Sequence, residues 1–236
     1  IVFGDWSSDV CSSDLSLLNL VAGFLRPSAG QVCFDGVPVK GPGPDRGVVF
    51  QDATLFPWLT VRQNVEFGLR RAGCPRGRLA ERVAEAIATV GLAGHEEAYP
   101  HVLSGGMRQR AAIARVLVME PRALLMDEPF SALDANARER LQDELLRIWE
   151  RHRRTVLYVT HSVEEAAYLA DRVLVMGPPP RSVVHDVSLA LARPRDRLSA
   201  ELREATRQLR GRLDGLPCCV GGCSCSETEN PRNPAS

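Results

Sequence analysis

Two neighbouring segments specify the core of this chain: Leu103-Ser104-Gly105-Gly106-Met107-Arg108-Gln109-Arg110 and Leu124-Leu125-Met126-Asp127-Glu128-Pro129. Ser104 has the side chain of a helix N-cap and precedes a run that we expect to be helical to about Met119. Residues 123–126 are consecutively apolar, as in a strand that is covered on both faces. The two carboxylates that follow therefore emerge at the carboxyl end of a parallel strand, where α/β sheets bind ligands.

Three further elements flank these segments in a fixed order. Gln51 ends an apolar strand, Ser131-Ala132-Leu133-Asp134 follows the acidic pair, and His161 ends another apolar strand. Together the five elements resemble the motifs of ATP-binding cassette (ABC) ATPases, over roughly residues 16–187. The resemblance implies an α/β, P-loop NTPase-like core with a parallel sheet, an antiparallel β portion and a helical subdomain.

The resemblance also implies which residues handle nucleotide. A helix start with two glycines presents free N–H groups to a phosphate, here one on ATP that the opposite subunit holds. Of the acidic pair, the first residue would associate with Mg²⁺ and the second would polarise the attacking water. The residues implied are Gln51, Ser104, Gly105, Gly106, Gln109 and Asp134 for ATP, Asp127 and Gln51 for Mg²⁺, and Glu128 and His161 for catalysis.

Simpler interpretations of the same residues stay open at the level of sequence. Leu103 to Gly106 alone would be only a helix cap, and Asp134 could cap a helix that begins at Ala135. A single glutamine after a strand would be unremarkable. His161 could belong to a helix-capping neighbourhood with Ser162.

A phosphate-binding loop is the element that the chain lacks. No Gly-x-x-x-x-Gly-Lys-Ser/Thr motif occurs anywhere in the sequence. The segment Ser16 to Gly23 looks like the helix that follows such a loop, which places Ser13, Asp14 and Leu15 where Gly, Lys and Ser belong. A carboxylate at the lysine position repels phosphate, and Leu15 has no oxygen for Mg²⁺. We therefore expect weak ATP binding and no appreciable hydrolysis by the chain as written.

Residues 1–15 themselves have an unusual composition. The run from Asp5 to Leu15 resembles a translated sequencing-library adapter, so we interpret residues 1–15 as a non-native segment fused to a truncated gene. A natural degenerate ATPase would be expected to keep some glycines in the loop, and a low-complexity linker explains neither Trp6 nor Cys11. This interpretation predicts that residues 1–15 are irregular, exposed or without a well-defined position, that the N-terminal strands are missing, and that a groove lies beside the Asp127 strand.

The composition limits the classes of partner. The chain has 236 residues with 29 basic and 29 acidic side chains, which gives no global reason to bind nucleic acid or an anionic membrane. Arginine clusters at 151–154 and 193–212 are most simply solvated helix faces or ends. No apolar run is long enough to span a bilayer, so membrane association requires a partner. Four cysteines between positions 218 and 225 could bind a thiophilic metal, but reduced thiols in a disordered tail are the simpler interpretation.

The pattern along the chain predicts a modular organisation. Alternating residues around Asp35-Gly36 indicate a β-hairpin, and residues 61–91 show helical periodicity that is interrupted near residues 73–75. We expect residues 1–15 to be non-native, 16–60 and 120–190 to form the ATPase core, 61–119 the helical subdomain, 191–215 a C-terminal helix, and 216–236 a disordered Cys/Gly/Pro tail.

The segment from Gln51 to Gly68 looks most like importers of nitrate, sulfonates and taurine. In such proteins Phe56 and Trp58 would help line the groove for a permease helix, although they could instead be core residues. The resemblance implies ATP and Mg²⁺ as cofactors. It also implies that the chain forms a homodimer or pairs with another ATPase subunit, that it binds permease subunits, and that it works indirectly with a substrate-binding protein. The expected location is the cytoplasmic face of the membrane.

Two alternatives to the importer subunit differ in class. One is a degenerate, non-hydrolysing cassette that binds or regulates a competent partner. The other is an ABC-type DNA-repair or chromosome ATPase, but such proteins carry long coiled coils between the nucleotide motifs. Here Gln51 and Ser104 are too close in sequence for one.

Overall fold

The fold is described from a computed structural model, which describes residues 2–3, 12–131, 133–177 and 183–214. The predicted tail at 216–236, with its four cysteines, lies outside these residues. The elements are β1 Val2–Phe3, α1 Ser12–Ala22, β2 Cys33–Phe34, β3 Val37–Pro38, β4 Arg46–Val49, α2 Val61–Arg71, α3 Arg76–Thr89, a 3₁₀ turn Pro100–Val102, α4 Gly105–Leu117, β5 Ala123–Asp127, α5 Ala135–His152, β6 Thr155–Thr160, α6 Val163–Leu169, β7 Arg172–Met176, β8 Val183–Ser188 and α7 Ala200–Asp214.

The described strands form one main sheet with the order β4-β5-β6-β1-β7-β8. All neighbours pair in parallel except β7 and β8, which are antiparallel. The hairpin predicted around Asp35-Gly36 is present as β2 and β3, and both turn residues have positive φ, as a two-residue hairpin turn requires. The predicted fold class, an α/β core with a parallel sheet and an antiparallel portion, is confirmed.

The centre of the sheet corrects one prediction. Val2–Phe3 lies between β6 and β7 and pairs in parallel with both, so the sheet does not lack the strand expected to be missing there. The predicted groove beside the Asp127 strand is also wrong, because β4 and β6 flank β5. The physical reason is that β6 and β7 would otherwise leave backbone groups unpaired at the sheet centre, and Val and Phe favour strands.

Helix α1 also starts earlier than predicted. It begins at Ser12 rather than Ser16, so residues 12–15 are helical and not irregular. It ends at Ala22 because Gly23 adopts φ +82°, a conformation that favours glycine. Phe24 therefore lies outside the helix, is 47% exposed and stacks on the ring of Phe50.

Two apolar layers cover the faces of the sheet. Successive residues of β5 point to opposite faces, so Leu124 and Met126 join the larger core that the helical subdomain also enters, whereas Leu125 packs with Leu18 of α1. Burial of its apolar side therefore holds helix α1 on the sheet, against the strand that ends at the acidic pair.

Polar side chains at the start of α2 hold the loop that leads into the helical subdomain. Thr60 and Gln63 form a reciprocal capping box at the start of α2. Asn64 is fully buried, and its Nδ2 donates to the carbonyls of Phe56, Leu59 and Thr60. None of the described helices is both long and apolar enough to cross a bilayer.

Candidate functional site

The acidic pair lies at the carboxyl edge of the sheet, as the sequence predicts. Asp127 is the last residue of β5 and Glu128 follows it with φ +37°. The backbone N–H of Glu128 donates to the carbonyl of Val159 on β6, at 3.0 Å. The main chain thus turns sharply at Glu128 and directs its side chain toward the neighbouring strand.

His161 meets Glu128 at this edge. The register pairs Asp127 with Val159, so the residues that follow β5 and β6 are neighbours in space. Nε2 of His161 lies 2.6 Å from Oε1 of Glu128, and both side chains are partly exposed. An ionised carboxylate only accepts hydrogen bonds, so Nε2 carries the proton that it donates. The structure brings together the two residues predicted to be catalytic.

A buried carboxylate supports the turn that carries His161. Glu165, 6% exposed, accepts hydrogen bonds from the hydroxyls of Tyr158 at 2.9 Å and Thr160 at 2.7 Å, which lie on the strand preceding His161. Thr160 Oγ1 in turn accepts from the N–H of Ser162. The residues on either side of His161 are therefore held by one network.

The charge of this network is only partly balanced. Gln142 donates to Glu165 from α5, and Nε of Arg138 lies 3.7 Å from the same carboxyl group. Burial, together with the nearby Glu165 carboxylate, raises the pKa of Tyr158 well above its usual range. Tyr158 therefore stays protonated and remains a hydrogen-bond donor to Glu165.

Sequence reasoning missed Arg138 and Glu165. Arg138 donates to the carbonyls of Phe130 and Leu133, at 3.3 and 3.0 Å, and so holds the loop between Glu128 and α5. One sequence pattern could have indicated Glu165: a glutamate three residues after a serine is the capping-box pattern. In the structure Ser162 is the N-cap of α6, and the N–H of Glu165 donates to Ser162 Oγ. The burial of Glu165 and the contacts of the partly exposed Arg138 follow from tertiary packing and have no signal in the sequence.

The start of α4 has the predicted geometry. Ser104 is the N-cap, and its Oγ accepts from the N–H of Met107. The first N–H groups of a helix lack acceptors within the helix, which leaves those of Gly105 and Gly106 for a ligand. A methyl group added at Gly106 would meet Leu133 Cδ2 at 3.7 Å, an ordinary contact. Neither glycine has the positive φ at which glycine is favoured, so nothing in the fold itself requires a glycine here.

The side chain of Gln109 is hydrogen-bonded to the backbone of the residue that precedes Gln51. Gln109 is buried, and its Nε2 donates to the carbonyl of Phe50, at 3.3 Å. Gln51, the next residue, is exposed after β4. In this structure the amide of Gln109 thus ties α4 to the turn that presents Gln51, and direct contact of Gln109 with nucleotide stays a prediction.

Asp134 caps α5, as one of the two interpretations of the sequence proposed. Its side chain accepts from the N–H of Ala137, at 2.9 Å. The second role predicted for Asp134, a contact with the opposite subunit, stays a prediction.

The residues present fit Mg²⁺ in part. Asp127 and Gln51 offer oxygen atoms, which this ion prefers, and Mg²⁺ usually takes few protein ligands beside phosphate and water. No cluster of three or more His, Cys, Asp and Glu side chains suited to a metal occurs among the described residues. Position 15, where the family resemblance expects a hydroxyl, is Leu.

The phosphate side of the site fits less well. Strand β1 is parallel to β6, so the chain leaves it at the same edge as Glu128 and His161, and α1 follows at Ser12. The backbone at Ser13, Asp14 and Leu15 is helical, but their residue types are not those of a phosphate cradle. Residues 4–11, which would include the rest of such a loop, lie outside the described residues.

A parallel sheet with an acidic pair and a histidine at its carboxyl edge, together with a glycine-rich helix start elsewhere in the chain, is typical of nucleotide-binding proteins of the α/β class. Residues 16–131 match the model of the family described as ABC transporter. The chain is 52% identical, over 194 residues, to an uncharacterized ABC transporter ATP-binding protein of Methanocaldococcus jannaschii, covering 82% of this chain and 73% of the relative. The chain belongs to the ATP-binding subunits of ABC transporters.

Other relatives and solved structures agree. The taurine import ATP-binding protein TauB of Pseudomonas entomophila is 49% identical over 178 residues, which is 75% of this chain and 69% of that protein. The structure of cbiO1 from Clostridium perfringens, part of the ABC transporter complex cbiONQ, has a TM-score of 0.69 at 28% identity, covering 79% of this chain and 76% of that one. A dimeric, post-hydrolysis ATP-binding cassette bound to ADP and Pi has a TM-score of 0.67 at 28% identity, covering 81% and 85%.

Proposed function

We propose that this chain derives from the ATP-hydrolysing subunit of an importer for a small anion or organosulfur compound, such as nitrate, a sulfonate or taurine, and that as written it lacks the phosphate loop that hydrolysis needs. The observation that carries the catalytic part is the 2.6 Å contact between Glu128 and His161 at the end of adjacent parallel strands. The substrate class is supported by the relatives named for taurine import. Recognition of the substrate belongs to the permease and binding protein.

The chemistry assigned to the pair follows from its geometry. Glu128 would accept the proton of the attacking water, because an ionised carboxylate at hydrogen-bond distance can act as a general base. His161 fixes the Glu128 carboxylate by donating from Nε2 and would contact the γ-phosphate when nucleotide is bound. The Glu165 network keeps the histidine in place, and positioning accounts for most of phosphoryl-transfer catalysis.

ATP and Mg²⁺ are the cofactors of this proposal. Asp127 and Gln51 would hold Mg²⁺, which neutralises charge on the phosphates. The residues Ser104, Gly105 and Gly106 would bind phosphate through the start of α4. Asp134 would meet the opposite subunit, which makes a homodimer or a paired ATPase subunit the working unit.

A second candidate is a degenerate subunit that binds or regulates without hydrolysis. Two residues favour it for the chain as written, Asp14 and Leu15, since neither supports a triphosphate with Mg²⁺. A competent partner subunit would then supply the phosphate cradle. The two candidates differ in whether restoring the cradle residues restores hydrolysis.

An exposed aromatic cluster supports a permease partner. Trp58 is 70% exposed and lies against Phe56, whose ring also contacts Phe67 and the guanidinium of Arg115. A solvent-facing Trp is not a core residue, and exposed aromatic clusters mark contact surfaces. We propose that this cluster receives a permease segment, which would hold the chain at the cytoplasmic face of the membrane.

Uptake by the host of this chain tests the substrate class. Deletion of the host's gene should abolish uptake of one of taurine, an alkanesulfonate or nitrate, and a plasmid copy in which a β-strand and a glycine-rich phosphate loop replace residues 1–15 should restore it. A copy with Trp58→Glu should fail to restore uptake while accumulating normally, and Arg26→Glu, an exposed residue outside the cluster, should restore it. Unchanged uptake of all three compounds after deletion would contradict the proposed substrate class.

A further inference from the structure

A cavity of about 330 Å³ lies at the end of the sheet opposite to the acidic pair. Thr155 and Arg172, which begin β6 and β7, are among its lining residues, whereas Glu128 and His161 follow the carboxyl ends of their strands. Its volume falls in the range of small-molecule pockets. The candidate ATPase site does not use it.

The walls of this cavity are mainly apolar. Leu145, Leu146 and Trp149 of α5 line one side, and Val156 of β6 lines another. The residues of α5 are spaced so that they share one helix face. This surface suits an alkyl or other apolar body.

The charged groups at the cavity are predominantly cationic. Arg154, Arg172 and Arg193 line it together with a single acidic residue, Asp171. Arg172 is already paired with Asp186, and two nitrogens of Arg193 bind Asp171 and the carbonyl of Leu169. The lining therefore carries a surplus of positive charge that Asp171 alone does not balance.

Two guanidinium groups still have donors to offer. Nη1 of Arg193 is buried and has no hydrogen-bond partner within the described part of the chain. Arg154 is half-buried, and its side chain forms no hydrogen bond or ion pair with any residue that the structure describes. A buried donor without an acceptor is unusual in proteins, and a small rotation of the Arg193 guanidinium group would present this donor to an anionic oxygen in the cavity.

We propose that this cavity binds a small amphiphilic anion, with its carboxylate or sulfonate head on Arg154 and Arg193 and its apolar body against the α5 face. Both heads present at least two oxygen atoms to a guanidinium group, which binds anionic oxygens through paired hydrogen bonds. The apolar body accounts for the rest of the lining, which a free phosphate or acetate would leave in contact with water.

Binding of sodium octanoate and sodium octanesulfonate to the full chain tests the proposal. Trp149 lies in the lining, so the Trp6→Phe/Trp58→Phe background leaves it as the only tryptophan and makes its fluorescence a local reporter. We expect saturable, one-to-one binding of both anions. Acetate, which lacks the body, and octanol, which lacks the head, should each bind at least about tenfold more weakly, a difference of roughly 1.4 kcal/mol.

Two variants remove different halves of the site. Arg154→Gln should weaken octanoate binding at least about tenfold and leave octanol binding unchanged, and Leu146→Phe should fill part of the cavity and weaken the binding of both anions. Arg140→Gln, an exposed arginine of α5 outside the lining, is the matched control and should bind as the parent does. Circular dichroism should show that all variants are folded. The proposal is overturned by absent or non-saturable binding, by equal binding of acetate, or by wild-type binding in both variants.

Discussion

Oε1 of Glu128 and Nε2 of His161 are 2.6 Å apart, although the two residues follow different strands. The pairing of Asp127 with Val159 in the parallel β5–β6 ladder places both residues at one edge, and the N–H of Glu128 fixes the turn by donating to Val159. A shift of this register by one residue would move the carboxylate to the other face of the sheet. The contact is therefore a product of the sheet and not of local sequence.

His161→Ala should lower the maximal ATP turnover of a protein with a restored phosphate loop by about 100-fold or more, because it removes the group that orients Glu128. Residues that act as a unit are not additive. The double variant with Glu128→Gln should consequently be no slower than Glu128→Gln alone, within about threefold. Steady-state phosphate release measures both, and multiplicative losses would show that the two side chains act independently.

Gly106→Ala should leave the fold intact, since the new methyl meets only Leu133 at an ordinary distance. Its free energy of unfolding should be unchanged or raised by up to about 1 kcal/mol, as for other Gly→Ala changes in helices. Turnover in the restored protein should nevertheless fall, because the methyl occupies the place where a phosphate approaches.

Gly77→Ala is the matched control for this glycine. It lies at the second position of α3, as Gly106 does in α4, and a methyl there meets nothing within 4 Å. It should have the same effect on urea unfolding and none on turnover. Equal turnover of the two variants would argue against phosphate binding at the start of α4.

Tyr158→Phe should destabilise the fold by about 1–3 kcal/mol, because Glu165 loses a buried hydrogen-bond donor. The same change should alter the pH dependence. Burial raises the pKa of Tyr158, so above about pH 10 the unfolded chain releases this proton while the folded chain keeps it. The unfolded state then binds fewer protons, and stability that is fully present below pH 10 falls as the pH rises.

The loss of stability between pH 9 and 10.5 should be smaller for Tyr158→Phe than for the parent chain, as measured by urea unfolding. Tyr99→Phe is the control, since Tyr99 is 43% exposed and its replacement should change stability by less than about 0.5 kcal/mol. Parallel pH profiles of the parent and Tyr158→Phe would contradict the proposed burial of this hydroxyl as a neutral group.

The sequence predicts most of the fold because its signals are local. Ser104 and Asp134 cap helices where the cap rules place them, α5 begins at Ala135 as predicted, and the apolar run before Asp127 is a buried parallel strand. Each of these features depends on side chains within one turn of helix or one strand. Family resemblance, and not periodicity, indicated that Glu128 and His161 would act together.

The features that sequence reasoning missed depend on long-range contacts. Val2–Phe3 enters the sheet because β6 and β7 both offer unpaired backbone, which cannot be read from residues 1–15 alone. The same applies to Arg138 and Glu165, which stabilise the catalytic edge from two other helices. That residues 1–15 are non-native stays a prediction. Replacing Asp14 and Leu15 tests its functional consequence.

Replacement of residues 1–15 by a β-strand and a glycine-rich loop with Lys at 14 and Ser at 15 should create Mg²⁺-dependent ATP hydrolysis, which the chain as written should lack. The added groups hold the β- and γ-phosphates, and positioning supplies most of the catalysis. A second replacement with the same loop but with Asp14 and Leu15 retained should stay inactive. Robust turnover by the unmodified chain would refute the assignment of these positions.

The central claim is that Glu128 is the base of an ATPase site, and ATP turnover by the restored protein and its Glu128→Gln variant tests it most directly. Gln cannot accept the proton but keeps the shape of the side chain, so turnover should fall by about 100-fold or more while ATP-driven dimerisation, followed by light scattering, persists. Glu150→Gln, an exposed residue of α5, should behave as the restored parent does. Turnover at the parent rate in Glu128→Gln would contradict the account and require another base.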